Sequence, residues 1–350
     1  MIAKHCFTTE WLSKIKSDFP AIDPTILEKT IYAFELLSLL IQEGIDFVFK
    51  GGTSLLILLP QPKRLSIDID ILTAIKPETL ETKFNSIIKK EVFFEWSEDP
   101  RTESRIPKKH YKFFFNSVIN PNIKSGVLLD ILFQENPYPK TDSKPLKSQF
   151  FETISDAKIL VPTVNSILGD KLTAFAPTTT GIHLGIHKEM QINKQLFDIG
   201  ELFNYSDDIK EIEDSFNHFV EIESVYRDEK FSTEKVIKDL FEISFLISQI
   251  KIRGGKENTI TNEFISGMRE IRSHLISGTY NLEHTKINAA KTACVVSLFG
   301  KEFDFKQMRE YNAAKINDVK LLNDLSILER LKTLLPESYY YWQLIQRNFV

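Results

Sequence analysis

Phe47-Val48-Phe49-Lys50-Gly51-Gly52-Thr53-Ser54-Leu55, followed by Arg64-Leu65-Ser66-Ile67-Asp68-Ile69-Asp70-Ile71-Leu72, sets a glycine turn just ahead of two carboxylates. Ile67, Ile69 and Ile71 alternate with the acids at the period of a strand, so residues 64–72 are expected to extend and both carboxylates to leave one face. Two hard oxygen donors then meet one cation. Mg²⁺, with Mn²⁺ able to stand in, commonly takes one or two protein carboxylates together with substrate phosphates, which suits a nucleoside triphosphate. Gly51 and Gly52, lacking side chains, let a backbone turn bring its N–H groups against phosphate oxygens, and Thr53 and Ser54 offer hydroxyl donors beside them. Either half alone has a plain structural reading, a turn or a solvated strand face. Together they set paired acids among isoleucines, and unpaired carboxylates near apolar surface are costly unless something neutralises them.

Working outward, Asp170-Lys171-Leu172-Thr173-Ala174 and Lys194-Gln195-Leu196-Phe197-Asp198 follow in order. With Gly51 to Leu55 and Arg64-x-Ser66-x-Asp68-Ile69-Asp70, these stretches resemble the motifs of the AbiEii/AbiGii toxin family, nucleotidyltransferases of the DNA polymerase beta superfamily. The resemblance covers roughly residues 25 to 205. The insertion holding Pro177 to Gly181 and His183 to Lys188 lengthens the interval between the last two motifs. The resemblance implies that Asp68 and Asp70 hold the metal, that Lys171 contacts the triphosphate, and that Asp198 positions that lysine. It adds Ser66 and Lys171 to Gly51, Gly52, Thr53 and Ser54 as nucleotide contacts. It also implies a toxin of a type IV toxin-antitoxin or abortive-infection (phage defence) module, with an RNA such as tRNA as acceptor and a cognate antitoxin that acts without direct contact. Nucleotidyl transfer needs in-line positioning and neutralised charge on the leaving pyrophosphate, which a divalent cation and a point-charge lysine supply.

Val127-Leu128-Leu129-Asp130-Ile131-Leu132-Phe133 sets one acid in an apolar run, and Asp130 is the candidate third catalytic acid. In the wider superfamily such a residue either binds metal or accepts the proton of the attacking hydroxyl. The plain alternative is a pairing with a nearby lysine such as Lys124.

The expected fold class is α+β: a small mixed-sheet nucleotidyltransferase core with flanking helices at 1–205, then a C-terminal helical bundle domain at 206–350. Asp23-Pro24 opens a helix whose Ile26, Leu27, Ile31, Phe34, Leu37 and Leu40 recur at helical spacing up to Gly44. Residues 47–49, 93–96, 111–118 and 126–133 read as further strands, and 54–59, 77–90 and 164–176 as helices. Pro137 to Lys147 reads as a linker, and Thr178 to His187 as a loop over the nucleotide. His183 and His187 lack a third nitrogen or sulfur ligand. Beyond Asp207, residues 216–224, 234–250, 263–276, 285–299 and 316–335 carry apolar faces at three-four spacing, and the Tyr339 to Trp342 cluster is expected to plug a core edge.

The 350 residues suffice for two packed units. Lys and Arg number 44 against 48 acids, a net charge of −4, so composition does not announce a nucleic-acid binder. Arg101, Arg105, Lys108, Lys109, His110 and Lys112, beside Tyr111 and Phe113 to Phe115, form a local basic-aromatic stretch that could grip single-stranded RNA or only solubilise a hairpin. Cys6 and Cys294 build neither a disulfide framework nor a zinc site, which leads to the expectation of a reducing cytoplasm. No apolar run is long enough for a membrane span. Two other functions fit the same residues: transfer to a small alcohol, as in antibiotic-modifying enzymes, and a non-catalytic nucleotide-binding regulatory module.

Overall fold

A computed structural model of the protein describes residues 1–99 and 106–349, in two compact units: Met1–Thr163 with Ser273–Gly278, and Val164–Arg272 with Thr279–Val350. The units part at Thr163, ahead of the domain boundary drawn from sequence at 205/206. The helices at 164–203 pack among other helices, which is why they fall in the second unit.

In the first unit, α1 (Thr9–Asp18) leads to α2 (Pro24–Gln42). The Asp23 carboxylate accepts from the N–H groups of Thr25 and Ile26 at 2.8 and 3.2 Å, and Pro24 occupies the first helical position. Leu27, Ile31, Phe34, Leu37 and Leu40 are buried as their spacing predicts, while Ile26 in the first turn is half-buried. Next come β1 (Val48–Lys50), α3 (Gly51–Leu58), β2 (Ile69–Thr73) and α4 (Pro77–Ile88). Then follow β3 (Glu95–Glu98), β4 (Lys108–Asn116), β5 (Lys124–Phe133), β6 (Thr141–Pro145) and β7 (Lys158–Pro162). They form one seven-stranded sheet in the order β3-β4-β5-β2-β1-β7-β6. Pairs β2/β5 and β1/β7 are parallel and the others antiparallel.

Three sequence expectations change here. The acid-bearing strand starts at Ile69, so Asp68 precedes it. The helix after the glycines starts at Gly51 itself. The expected linker contains β6, an edge strand that pairs with β7, and its Pro145 is tolerated because an edge strand leaves one row of N–H groups unused by the sheet.

Strand β4 shows how the sheet divides polar from apolar. Tyr111, Phe113 and Phe115 are fully buried, while Lys108, His110, Lys112 and Phe114 take the opposite, half-buried face. The buried rings pack edge-on against Phe84 and Phe93, and Phe115 stacks on Tyr32 with centroids 3.6 Å apart. Residues 273–278 return to this unit: Leu65 N–H donates to the His274 carbonyl at 2.7 Å and Ile276 N–H to the Lys63 carbonyl at 2.9 Å.

The second unit is helical: α5 (Val164–Phe175), α6 (Glu189–Phe203), α7 (Ile209–Arg227), α8 (Thr233–Gln249), α9 (Thr259–Glu270), α10 (Leu282–Ser297), α11 (Phe305–Arg309), α12 (Leu331–Leu334) and α13 (Pro336–Phe349). The long helix expected at 316–335 does not form. That stretch is irregular and 3₁₀ apart from α12, with Asn323 left-handed at φ 49° and its backbone N–H groups taken by Gln343 and Gln346. Tyr339 to Trp342 lie on α13 and are buried, Trp342 donating its indole N–H to Ser248 Oγ at 3.1 Å. No helix among the described residues is long and apolar enough to cross a membrane.

Candidate active site

The glycine turn is packed directly on the acids. Gly51 is left-handed (φ 76°), and a Cβ there would run into the Asp70 carboxylate. A Cβ on Gly52 would lie 2.6 Å from Arg64 Nη2 and 3.3 Å from Ser66 Oγ. Gly51 needs glycine for both backbone sign and approach, Gly52 for its close approach to the Arg64 and Ser66 side chains alone. The Lys50 side chain does not cap α3, so the first-turn N–H groups, which lack intrahelical acceptors, define a partly positive helix start beside Asp70 and Ser66. Thr53 and Ser54 need a correction. Both are buried, with the Thr53 hydroxyl donating to the Asp68 carbonyl and the Ser54 hydroxyl to the Gly51 carbonyl at 2.8 Å. They brace the turn, and those hydroxyl donors are already used within it.

Register places the acids. Lys50 of β1 lies opposite Asp70 of β2, Asp70 opposite Asp130 of β5, and Asp130 opposite His110 of β4. A row of base, acid, acid and base therefore crosses four strands on one sheet face. Asp68 precedes the row and is exposed. Burial raises the carboxyl pKa of Asp70, and the charges of Asp130 and Asp68 act the same way, opposed by Lys108 and Lys50. Asp130 is also buried, which alone would raise its pKa, but Lys108 and His110 outweigh that and hold it below the usual carboxylate range. Its Oδ2 accepts from Lys108 Nζ at 2.8 Å and its Oδ1 meets His110 Nδ1 at 2.7 Å. Lys124, the partner weighed from sequence, instead pairs with Glu95 at 2.6 Å.

Asp68 and Asp70 are the side chains that could hold a hard divalent cation. They are electrostatic neighbours, and burial together with the nearby acids raises Asp70's affinity for a positive partner. Among the described residues no group of three His, Cys, Asp or Glu stands at metal-holding spacing, so two carboxylates with substrate oxygens are the donor set that fits.

Lys171 on α5 and Asp198 on α6 meet in the second unit at 3.0 Å, with side chains 8% and 1% exposed. Gln195 Oε1 accepts from Lys171 Nζ, also at 3.0 Å. Two acceptors on different turns of α6 thus hold the Lys171 ammonium in one place. The expected Thr178 to His187 loop is tied down at its start, where Thr178 N–H and the Thr179 hydroxyl both donate to Asp239 Oδ2 at 2.8 Å. His183 meets the Pro177 carbonyl and Arg227, and His187 is exposed.

The basic-aromatic stretch separates into two roles. Arg101 and Arg105 lie outside the described residues. Tyr111, Phe113 and Phe115 are core, Lys109 pairs with Glu81 and Glu98, and Lys108 and His110 hold Asp130. The sequence reading did not connect Lys108 or His110 with Asp130. Their alternation on one strand was visible, but the antiparallel register that brings them to Asp130 was not.

A mixed sheet carrying a diglycine turn against strand acids, in a chain with a separate helical unit, is the construction of a nucleotidyltransferase. The profile described as nucleotidyl transferase AbiEii toxin, type IV TA system, matches residues 36–251, and the chain belongs to that family. Among solved structures, MenT4, a nucleotidyltransferase toxin from Mycobacterium tuberculosis, is similar over 95% of this chain and 98% of its own, at 12% identity and a TM-score of 0.52. A candidate nucleotidyltransferase from H. pylori matches over 82% of this chain and 97% of its own, at 13% identity and a TM-score of 0.38. At such identity the MenT4 likeness speaks to the fold alone. No curated protein sequence matches the chain.

Proposed function

We propose that this family member moves a nucleoside monophosphate from an NTP onto an acceptor hydroxyl of RNA, tRNA being the class that the family resemblance implies, and releases pyrophosphate. The observation that carries the reading is the contact of the diglycine turn with Asp70, beside a helix start that the Lys50 side chain does not cap. The turn's N–H groups would bind phosphate oxygens, and Ser66 would line the same edge. Asp68 and Asp70 would hold Mg²⁺, which when bound neutralises charge on the phosphates. Lys171, fixed by Asp198 and Gln195, is the cation that the family resemblance assigns to the triphosphate. A cytoplasmic toxin serving phage defence, restrained by an antitoxin without direct contact, completes the proposal.

The test is incubation of wild type and Asp70→Ala with each labelled NTP, Mg²⁺ and a tRNA pool. A labelled RNA band made only by the wild type is expected. Label moving onto small alcohols instead would replace RNA as acceptor, and no label transfer from any of the four NTPs would leave a non-catalytic nucleotide-binding module.

A further inference from the structure

The row across the sheet raises a question that the metal and phosphate groups do not answer: where the proton of the attacking hydroxyl goes. Asp130 is the residue that sequence reasoning nominates. Its geometry argues against it. Both oxygens are engaged, Oδ2 by the Lys108 ammonium at 2.8 Å and Oδ1 by His110 Nδ1 at 2.7 Å, and the side chain is only 13% exposed.

We infer that His110 Nε2 accepts that proton, with Asp130 acting as the positioning residue that fixes the ring. The inference rests on the nucleotidyl-transfer reading above. An ionised carboxylate has only lone pairs to offer, so the contact makes Nδ1 the donor and leaves the Nε2 lone pair available in the neutral ring. No described residue hydrogen-bonds Nε2, and the His110 side chain is 15% exposed. Strands lie about 4.8 Å apart, so His110 stands two spacings from Asp70 with Asp130 between them. Among the described residues, the charged groups around the ring are Lys108 and Lys112 on its own strand, Asp130 on β5 and, beyond it, Asp70 on β2. Asp99 follows β3 and donates its N–H to the His110 carbonyl at 2.7 Å.

The step balances. As the hydroxyl proton moves to Nε2, the oxygen's electron pair forms the bond to the α-phosphorus. The bond from that phosphorus to the pyrophosphate oxygen breaks, and its pair leaves with pyrophosphate. The resulting imidazolium keeps its Nδ1–H on Asp130 and later gives the new proton to water.

The experiment is a single-turnover pH–rate profile of the full chain with labelled NTP, Mg²⁺ and the tRNA pool. For His110→Gln, the rate is expected to fall about a hundredfold or more with KM for NTP unchanged, and the acid limb, where the base protonates, to disappear. Asp130→Asn is expected to slow the reaction yet keep an acid limb, moved to lower pH. A second readout is independent of turnover: ¹⁵N NMR of histidine-labelled protein should show an Nδ1–H tautomer that is missing in His110→Gln. Product from His110→Gln at a rate within threefold of wild type and with the same acid limb, or a ring protonated only at Nε2, overturns this inference alone. No product from the wild type overturns the transferase reading, and this inference falls with it.

Discussion

Two regions of the chain set acids against bases, and they do so in opposite ways. On the sheet, Asp70 and Asp130 stand side by side between Lys50 and His110, with Asp68 adding a third negative charge at the exposed end. In the helical unit, one acid meets one base: Asp198 and Lys171 are almost wholly buried, and Gln195 Oε1 accepts a further hydrogen bond from the lysine. The helical pair is charge-balanced and nearly shielded from water, so its geometry is set before any ligand arrives. In the sheet row, burial first and the neighbouring acids Asp130 and Asp68 second raise the affinity of Asp70 for protons, and such a site gains from an added cation.

Substitutions can break that contrast, and the largest effect belongs to the sheet. Asp70→Ala is expected to lower label transfer by about a thousandfold while leaving the fold intact, read by incorporation and by circular dichroism. Loss of folding together with activity would make Asp70 part of the scaffold. In the helices the order reverses. Asp198→Ala strands a buried ammonium and should cost about 3–5 kcal/mol in urea denaturation, whereas the double variant Lys171→Met/Asp198→Leu should recover most of it. A double variant as unstable as the single one would show that the pair does more than neutralise itself.

Glu35 sharpens the comparison, because it is a sealed acid with no base at hydrogen-bonding distance among the described residues. It lies inside α2, 1% exposed, and accepts the Ile2 N–H at 2.6 Å. Burial pushes its carboxyl up to about 7. Between the unfolded value near 4.5 and that figure, the folded state keeps a proton that the unfolded state has lost, so stability falls as pH rises through this window. Wild type should lose about 3 kcal/mol between pH 4.5 and 8, and Glu35→Gln should lack that share of the loss. Parallel pH curves for the two proteins would remove Glu35 from the account.

The smallest effects separate two left-handed glycines. Gly44→Ala meets open space and should cost about 1 kcal/mol of backbone strain with transfer unchanged. Gly51→Ala adds a collision with Asp70 and should slow transfer about tenfold or more for a similar strain. Equal transfer by both variants would uncouple the turn from the acid.

What could be read from sequence follows from range. Asp23-Pro24 and the helix behind it, the glycine turn and the apolar face of β4 are local patterns, and the structure keeps them. Asp68 falls outside its strand because Thr53 holds its carbonyl, a contact made by a residue far earlier in the chain. Strand β6 was hidden because Thr141 to Pro145 is polar and half-exposed, and only its pairing with β7 makes it a strand. The stretch 316–335 carries helical spacing, yet side chains of α13 take its backbone donors and hold it in other turns. At the candidate site, the residue types were visible, but the row linking Lys50 to His110 exists only through three strand registers.

The return of residues 273–278 bears on synthesis. Lys63 to Leu65, just ahead of the acids, find their backbone partners in a segment translated some two hundred residues later. A nascent chain halted at Thr163 would hold every strand of the sheet but lack this strap. A ribosome must therefore deliver α5 to α9 before Lys63 to Leu65 find these partners, which puts closure of the acid-bearing loop late in the protein's own manufacture.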